Sequence, residues 1–212
     1  MNPITNILTS SIASLVLITN YISRLILAPY ATMRKIAREK DYMQILILFV
    51  FIYAYFVYAN VIRAQTLHPF IISKSSLASF IMFIITFILS TSFFYVLGKT
   101  LSIKTVEFKK LMFLFAYSMI PTLLWFIATS TLFLILPPPR TISFLGQLFS
   151  FVFTAYSITL LLWRFILLYL SIRFTFKTQF FATMGLIALY FVWFIPYSYM
   201  MYQLKIFRIP FI

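Results

Sequence analysis

The chain contains no cysteine, which excludes disulfides, thiolate metal sites and cysteine nucleophiles. Glycine is nearly absent: Gly98, Gly146 and Gly185 are too few and too far apart to build a phosphate-cradling loop or a nucleophile elbow. Acids are as scarce, with Glu39, Asp41 and Glu107 set against 17 Lys and Arg. None of the three falls in a long apolar run, so acid–base catalysis inside a membrane lacks its usual groups and the chain reads as a non-enzyme that needs no cofactor. The single histidine, His68 beside Pro69, has no Asp, Glu or Cys near it in sequence and makes a poor metal ligand. Each acid has basic neighbours, and solvated ion pairs account for all three more simply than a metal or acid–base cluster does.

What is abundant is apolar surface, at 63% of residues. Crossing a hydrocarbon core takes roughly 20 helical residues, and five stretches are long enough: 43–62, 77–98, 111–136, 146–170 and 180–203. They are continuously apolar, unlike the ten-residue alternating segments of a barrel. The expected fold is an all-α integral membrane protein with one membrane domain over residues 43–212, preceded by a cytoplasmic or interfacial region over 1–42. A charge placed mid-bilayer costs about 2.5 to 3.5 kcal/mol, so where the charges remain is informative.

Eleven Lys and Arg outside the spans fall on one side (Arg24, Arg34, Lys35, Arg38, Lys40, Lys99, Lys104, Lys109, Lys110, Arg173, Lys177) and five on the other (Arg63, Lys74, Arg140, Lys205, Arg208). The positive-inside rule then predicts a cytoplasmic N-terminus and an external C-terminus. All three acids share the cytoplasmic side, which stays strongly basic. A formal charge of +14 would suggest nucleic acid in a soluble protein; in short loops beside spans it sets orientation and meets anionic headgroups instead. Tyr53, Tyr55 and Tyr58, with Tyr197, Tyr199 and Tyr202, cluster toward the outer ends of the first and last spans, as interfacial rings do.

Before the first span, Ile4, Leu8, Ile12, Leu15, Ile18, Ile22 and Ile26 recur at helical spacing, with Asn6, Thr9, Ser10, Asn20 and Arg24 across from them. That pattern predicts an amphipathic helix lying in the interface over 4–27 rather than a sixth span. No basic start precedes it, so it is not a signal peptide. Pro29 breaks the chain, and Tyr30–Asp41 reads as a short basic helix with Lys35 and Glu39 paired at i, i+4.

Two places could carry function. In the third span, Pro121 has no N–H for the Tyr117 carbonyl, so Tyr117, Ser118 and Pro121 mark a kink, set either by packing or by a gating or lipid-access role. In the fourth, Arg164 is the only charge inside a span. It either snorkels to the headgroups or joins Lys109, Lys110, Arg173 and Lys177 as a pocket for a lipid phosphate.

The strings APYATMRKIAREKDYMQ (28–44) and AYSMIPTLLW (116–125), the PPPRT turn at 137–141 and five spans resemble the Yip-one domain family of membrane proteins. The likeness covers roughly residues 28–203. It implies a five-helix domain without enzymatic activity; in eukaryotes the family is linked to Rab-type GTPases and to traffic between endoplasmic reticulum and Golgi. The long cytosolic N-terminal region of those relatives is not seen, which implies a prokaryotic plasma-membrane protein. The expected function is membrane-organising or adaptor work, with anionic lipid and a cytoplasmic or membrane protein as partners. The alternative is a transporter, channel or lipid-moving protein with a path at the third span, along Thr129, Ser130 and Thr131.

Overall fold

A computed structural model describes residues 3–39, 41–63, 69–101, 107–135 and 144–204. His68, Lys104, the 137–141 turn, Lys205 and Arg208 lie outside them. Among the described residues all regular structure is helical: α1 Pro3–Leu27, α2 Pro29–Ile36, α3 Met43–Arg63, α4 Pro69–Thr100, α5 Phe108–Ser118, α6 Ile120–Ile135, α7 Phe144–Phe176 and α8 Phe180–Gln203. Five segments are long and apolar enough to cross a membrane, namely α3, α4, α5 with α6, α7 and α8. The chain is an all-α integral membrane protein. With no water in hydrocarbon, the helix satisfies every backbone group within the segment.

Consecutive spans alternate in direction, so the start of α3, the end of α4, the start of α5, the end of α7 and the start of α8 share one end of the bundle. Lys99, Lys109, Lys110, Arg173 and Lys177 sit there, and we call it the basic end. The α5–α6 span is the most buried of the five; Leu111, Leu114, Phe115 and Tyr117 of α5 are almost wholly enclosed. Rings fill the contacts around it: Phe87 and Phe94 of α4 lie 5.6 and 6.1 Å from Phe115, and Phe94 stacks on Tyr190 of α8 at 4.7 Å.

The third span is two helices. α5 stops at Ser118, Met119 forms a turn, and α6 starts at Ile120. The Met119 N–H bonds to the Ala116 carbonyl at 3.2 Å, three residues back rather than four, and Ser118 Oγ donates to the Phe115 carbonyl at 2.7 Å. The break precedes Pro121 by two residues, and the Tyr117 carbonyl that Pro121 cannot bond accepts a backbone N–H of the turn instead. Pro196, by contrast, lies inside α8, which continues through it.

Besides α2, which ends at Ile36 rather than reaching Asp41, two spans have boundaries well off the sequence expectation. α4 begins at Pro69, eight residues before the expected start, because the polar Lys74-Ser75-Ser76 stretch is helical: Ser76 Oγ donates to the Ile72 carbonyl at 2.7 Å and accepts from Asn60 at 3.1 Å. The other is α7, which runs six residues past the expected 170 to Phe176. α1 presents two faces. Its bundle-facing stripe is Ser14, Ile18, Tyr21 and Leu25, while Ile12, Leu15 and Ile26 are exposed. Polar partners decide this: Ser14 and Tyr21 face inward because Asp41 and Glu39 wait there.

Candidate functional site

Pro29 opens α2 at a position where its missing N–H is not needed, and the short helix folds back so that Tyr30 packs on Phe174 of α7 at 5.1 Å. This brings the i, i+4 pair Arg34 and Arg38 opposite a second such pair, Arg173 and Lys177 at the end of α7. Lys110 of α5 joins them. Together with Ala37, Phe174 and Thr178 they line a cavity of about 390 Å³ at the basic end. Within it Lys177 and Arg38 both act on Lys110, with Glu107 as the opposing charge. Two unit charges 4 Å apart repel by about 1 kcal/mol even in bulk water, so an anion in the cavity relieves that repulsion.

Lys177 has φ of 54°, the left-handed region. It caps α7, its N–H bonded to the Arg173 carbonyl at 2.9 Å. Glycine ordinarily takes this place because a Cβ there costs about 1 to 2 kcal/mol. The chain keeps a cation in a position suited to glycine, and strained backbone of this kind concentrates at ligand clamps.

Of the five residues expected to form a phosphate pocket, the structure brings Lys110, Arg173 and Lys177 together and leaves two apart. Lys109, one residue from Lys110 and so about 100° around the helix, stands over the Tyr42 ring at 5.7 Å. Arg164 is nine residues before Arg173, about 13 Å away along α7. Arg34 and Arg38 were not foreseen. Their i, i+4 spacing was the available signal, but nothing local says which face of α2 meets α7.

A second polar group ties α1 to the bundle. Asp41 accepts from Ser14 Oγ at 2.5 Å, from the Met43 N–H at 3.1 Å and from Gln44 Nε2 at 3.3 Å. The other end of the fully buried Gln44 accepts from Tyr117 at 2.6 Å. Beside it Tyr21 donates to Glu39 at 2.6 Å, under the Lys35 ammonium 5.4 Å from its ring. Burial first, and then the carboxylate of Glu39, push the Tyr21 phenol well above its ordinary range. The hydroxyls of Tyr117 and Ser118 are therefore both engaged. So is the polar run of α6: Thr131 meets Tyr58 at 2.9 Å, Ser130 lies 3.4 Å from Tyr55, and Thr129 bonds to its own helix at Trp125. Among the described residues no three metal-ligating side chains converge.

Compared with protein-family models, with curated proteins and with solved structures, the chain matches none.

Proposed function

We propose that this chain is a non-enzymatic, Yip-like membrane-organising or adaptor protein whose basic end faces the cytoplasm and holds the phosphate of an anionic lipid. The cavity of Arg34, Arg38, Lys110, Arg173 and Lys177 carries the reading, above all the cation kept at the left-handed Lys177. The eleven-to-five split of Lys and Arg supports the orientation, and α1 then lies at the same leaflet with Ile12, Leu15 and Ile26 toward the acyl chains. Guanidinium and ammonium groups on three helices can satisfy a phosphate from several directions, with Arg173 and Arg34 able to bind two oxygens at once.

Native mass spectrometry of protein purified from anionic-lipid membranes tests this. Each basic residue near such a headgroup contributes about 1 kcal/mol, so Lys110→Ala with Arg173→Ala weakens retention by about 30-fold. Lys109→Ala and Arg164→Ala, outside the cavity, leave it unchanged. Equal lipid retention in the double variant and the wild type overturns the reading.

A further inference from the structure

The cavity between α2, α5 and α7 holds more positive charge than one phosphate answers. Arg34, Arg38, Lys110, Arg173 and Lys177 line it, and no acid does. The chain has only three acids, and each has its place. Glu39 accepts from Tyr21, and Asp41 from Ser14, Gln44 and the Met43 N–H, so both are engaged with α1 and α3. Glu107 acts on Lys110 from outside the lining. Crediting Glu107 in full still leaves four of the five positive charges uncompensated, whereas the phosphodiester of a simple anionic lipid brings one negative charge.

Hydrogen-bond donors are in the same excess. A guanidinium has five N–H groups and an ammonium three, and the lining has three of the first and two of the second. Arg173 gives one N–H to Tyr169 Oη at 3.0 Å. A phosphodiester has two free oxygens to set against this supply; two phosphates have four. The cations also fall into two groups. Arg38 and Lys177 both act on Lys110, which gathers three of them, while Arg34 and Arg173 come one helical turn, about 6 Å, before Arg38 and Lys177 in their helices. The cavity has room for both groups to be filled. Its volume of about 390 Å³ is that of roughly a dozen waters at about 30 Å³ each, and one phosphate takes only part of it.

We propose that this cavity selects a lipid headgroup with two separate phosphates, of the diphosphatidylglycerol (cardiolipin) class, over headgroups with one. Arg38, Lys110 and Lys177 take one phosphate, and Arg34 and Arg173 take the other. The proposal rests on the lipid reading given above and narrows it. Basic pockets between membrane helices bind headgroups of this kind. A spacing of one helical turn suits phosphates joined through a glycerol, because the two phosphates of a diphosphate share an oxygen and sit closer together. Ala37 and Phe174 in the same lining give the carbons of the bridge an apolar surface.

Titration of the delipidated full chain in detergent, read by native mass spectrometry, compares dilysocardiolipin with phosphatidylglycerol. Both have two acyl chains, so the second phosphate is the main difference. At about 1 kcal/mol for each cation, the two that meet the second phosphate give dilysocardiolipin an affinity about 30-fold tighter. Arg34→Gln weakens dilysocardiolipin about five-fold and leaves phosphatidylglycerol unchanged, with helical circular dichroism retained. Equal affinities of the wild-type protein for the two lipids overturn the proposal without reference to any variant. If both affinities then fall in Lys110→Ala with Arg173→Ala, the lipid reading still stands; if neither lipid binds the wild type at all, that reading falls too. Phosphatidic acid, one phosphate of higher charge, binds more weakly than dilysocardiolipin; an equal affinity means that charge and not a second phosphate is read, and overturns the assignment. Free glycerol bisphosphate at the same concentration leaves dilysocardiolipin bound, and displacement by it identifies a soluble ligand and overturns the lipid source.

Discussion

At the scale of single residues, Lys177 sets backbone preference against charge. Lys177→Gly removes a Cβ from the left-handed region and leaves a capping geometry that glycine adopts without strain. The expected result is a thermal midpoint in detergent equal to or above wild type, by the equivalent of about 1 kcal/mol, together with several-fold weaker retention of anionic lipid. A variant that loses stability and keeps its lipid makes Lys177 a structural residue only. Gly98 works in the opposite sense. A Cβ there would collide with the ring of Phe176, itself 2% exposed, whereas a Cβ on Gly185 meets nothing. Gly98→Ala therefore forces α4 and α7 apart at the basic end and destabilises by about 1 to 3 kcal/mol. Gly185→Ala leaves the midpoint unchanged or slightly raised, and thermal unfolding of the pair checks both.

At the scale of elements, α1 carries a second, bundle-facing stripe beside the apolar one that its sequence announces. Its apolar residues recur at helical spacing, so its existence was legible, but most of one apolar stripe is exposed because the inward side is chosen by Ser14 and Tyr21. Those two bond to Asp41 and Glu39 across the α2–α3 connection, and no local pattern announces a pairing 27 or 18 residues away. The third span was legible for the opposite reason: a missing N–H at Pro121 is a property of one residue, and the break falls at Met119 beside it. The basic cavity lies between these cases, half readable as loop cations and half dependent on α2 folding over α7. The two α1 bonds end on carboxylates, and hydrogen bonds to charged groups contribute about 1.5 to 3 kcal/mol each. Ser14→Ala with Tyr21→Phe should thus loosen α1 without unfolding the spans. Amide hydrogen exchange over residues 11–27 should rise by about 150-fold or more while α5 stays protected; unchanged exchange in α1 would mean that Ile18 and Leu25 hold the helix by packing alone.

At the scale of the whole molecule, the run lengths of apolar residues were enough to place five spans, because hydrocarbon thickness and helical rise leave few alternatives. Which end faces the cytoplasm rests on charge alone, and the proposed lipid role of the basic cavity needs that orientation. The cavity and the orientation stand or fall by different measurements. The cysteine-free background makes the second direct: Lys99→Cys at the basic end and Lys74→Cys in the first turns of α4 each give a single thiol on a residue that does not line the cavity. In intact cells a membrane-impermeant maleimide should label Cys at 74 and leave Cys at 99 untouched until the membrane is opened. Because α4 joins the two positions as one helix of 32 residues, about 48 Å long, they cannot lie on the same side if α4 spans the bilayer. Labelling of 99 and protection of 74 reverses the orientation and turns the basic cavity outward; labelling of both from outside removes α4 from the membrane altogether.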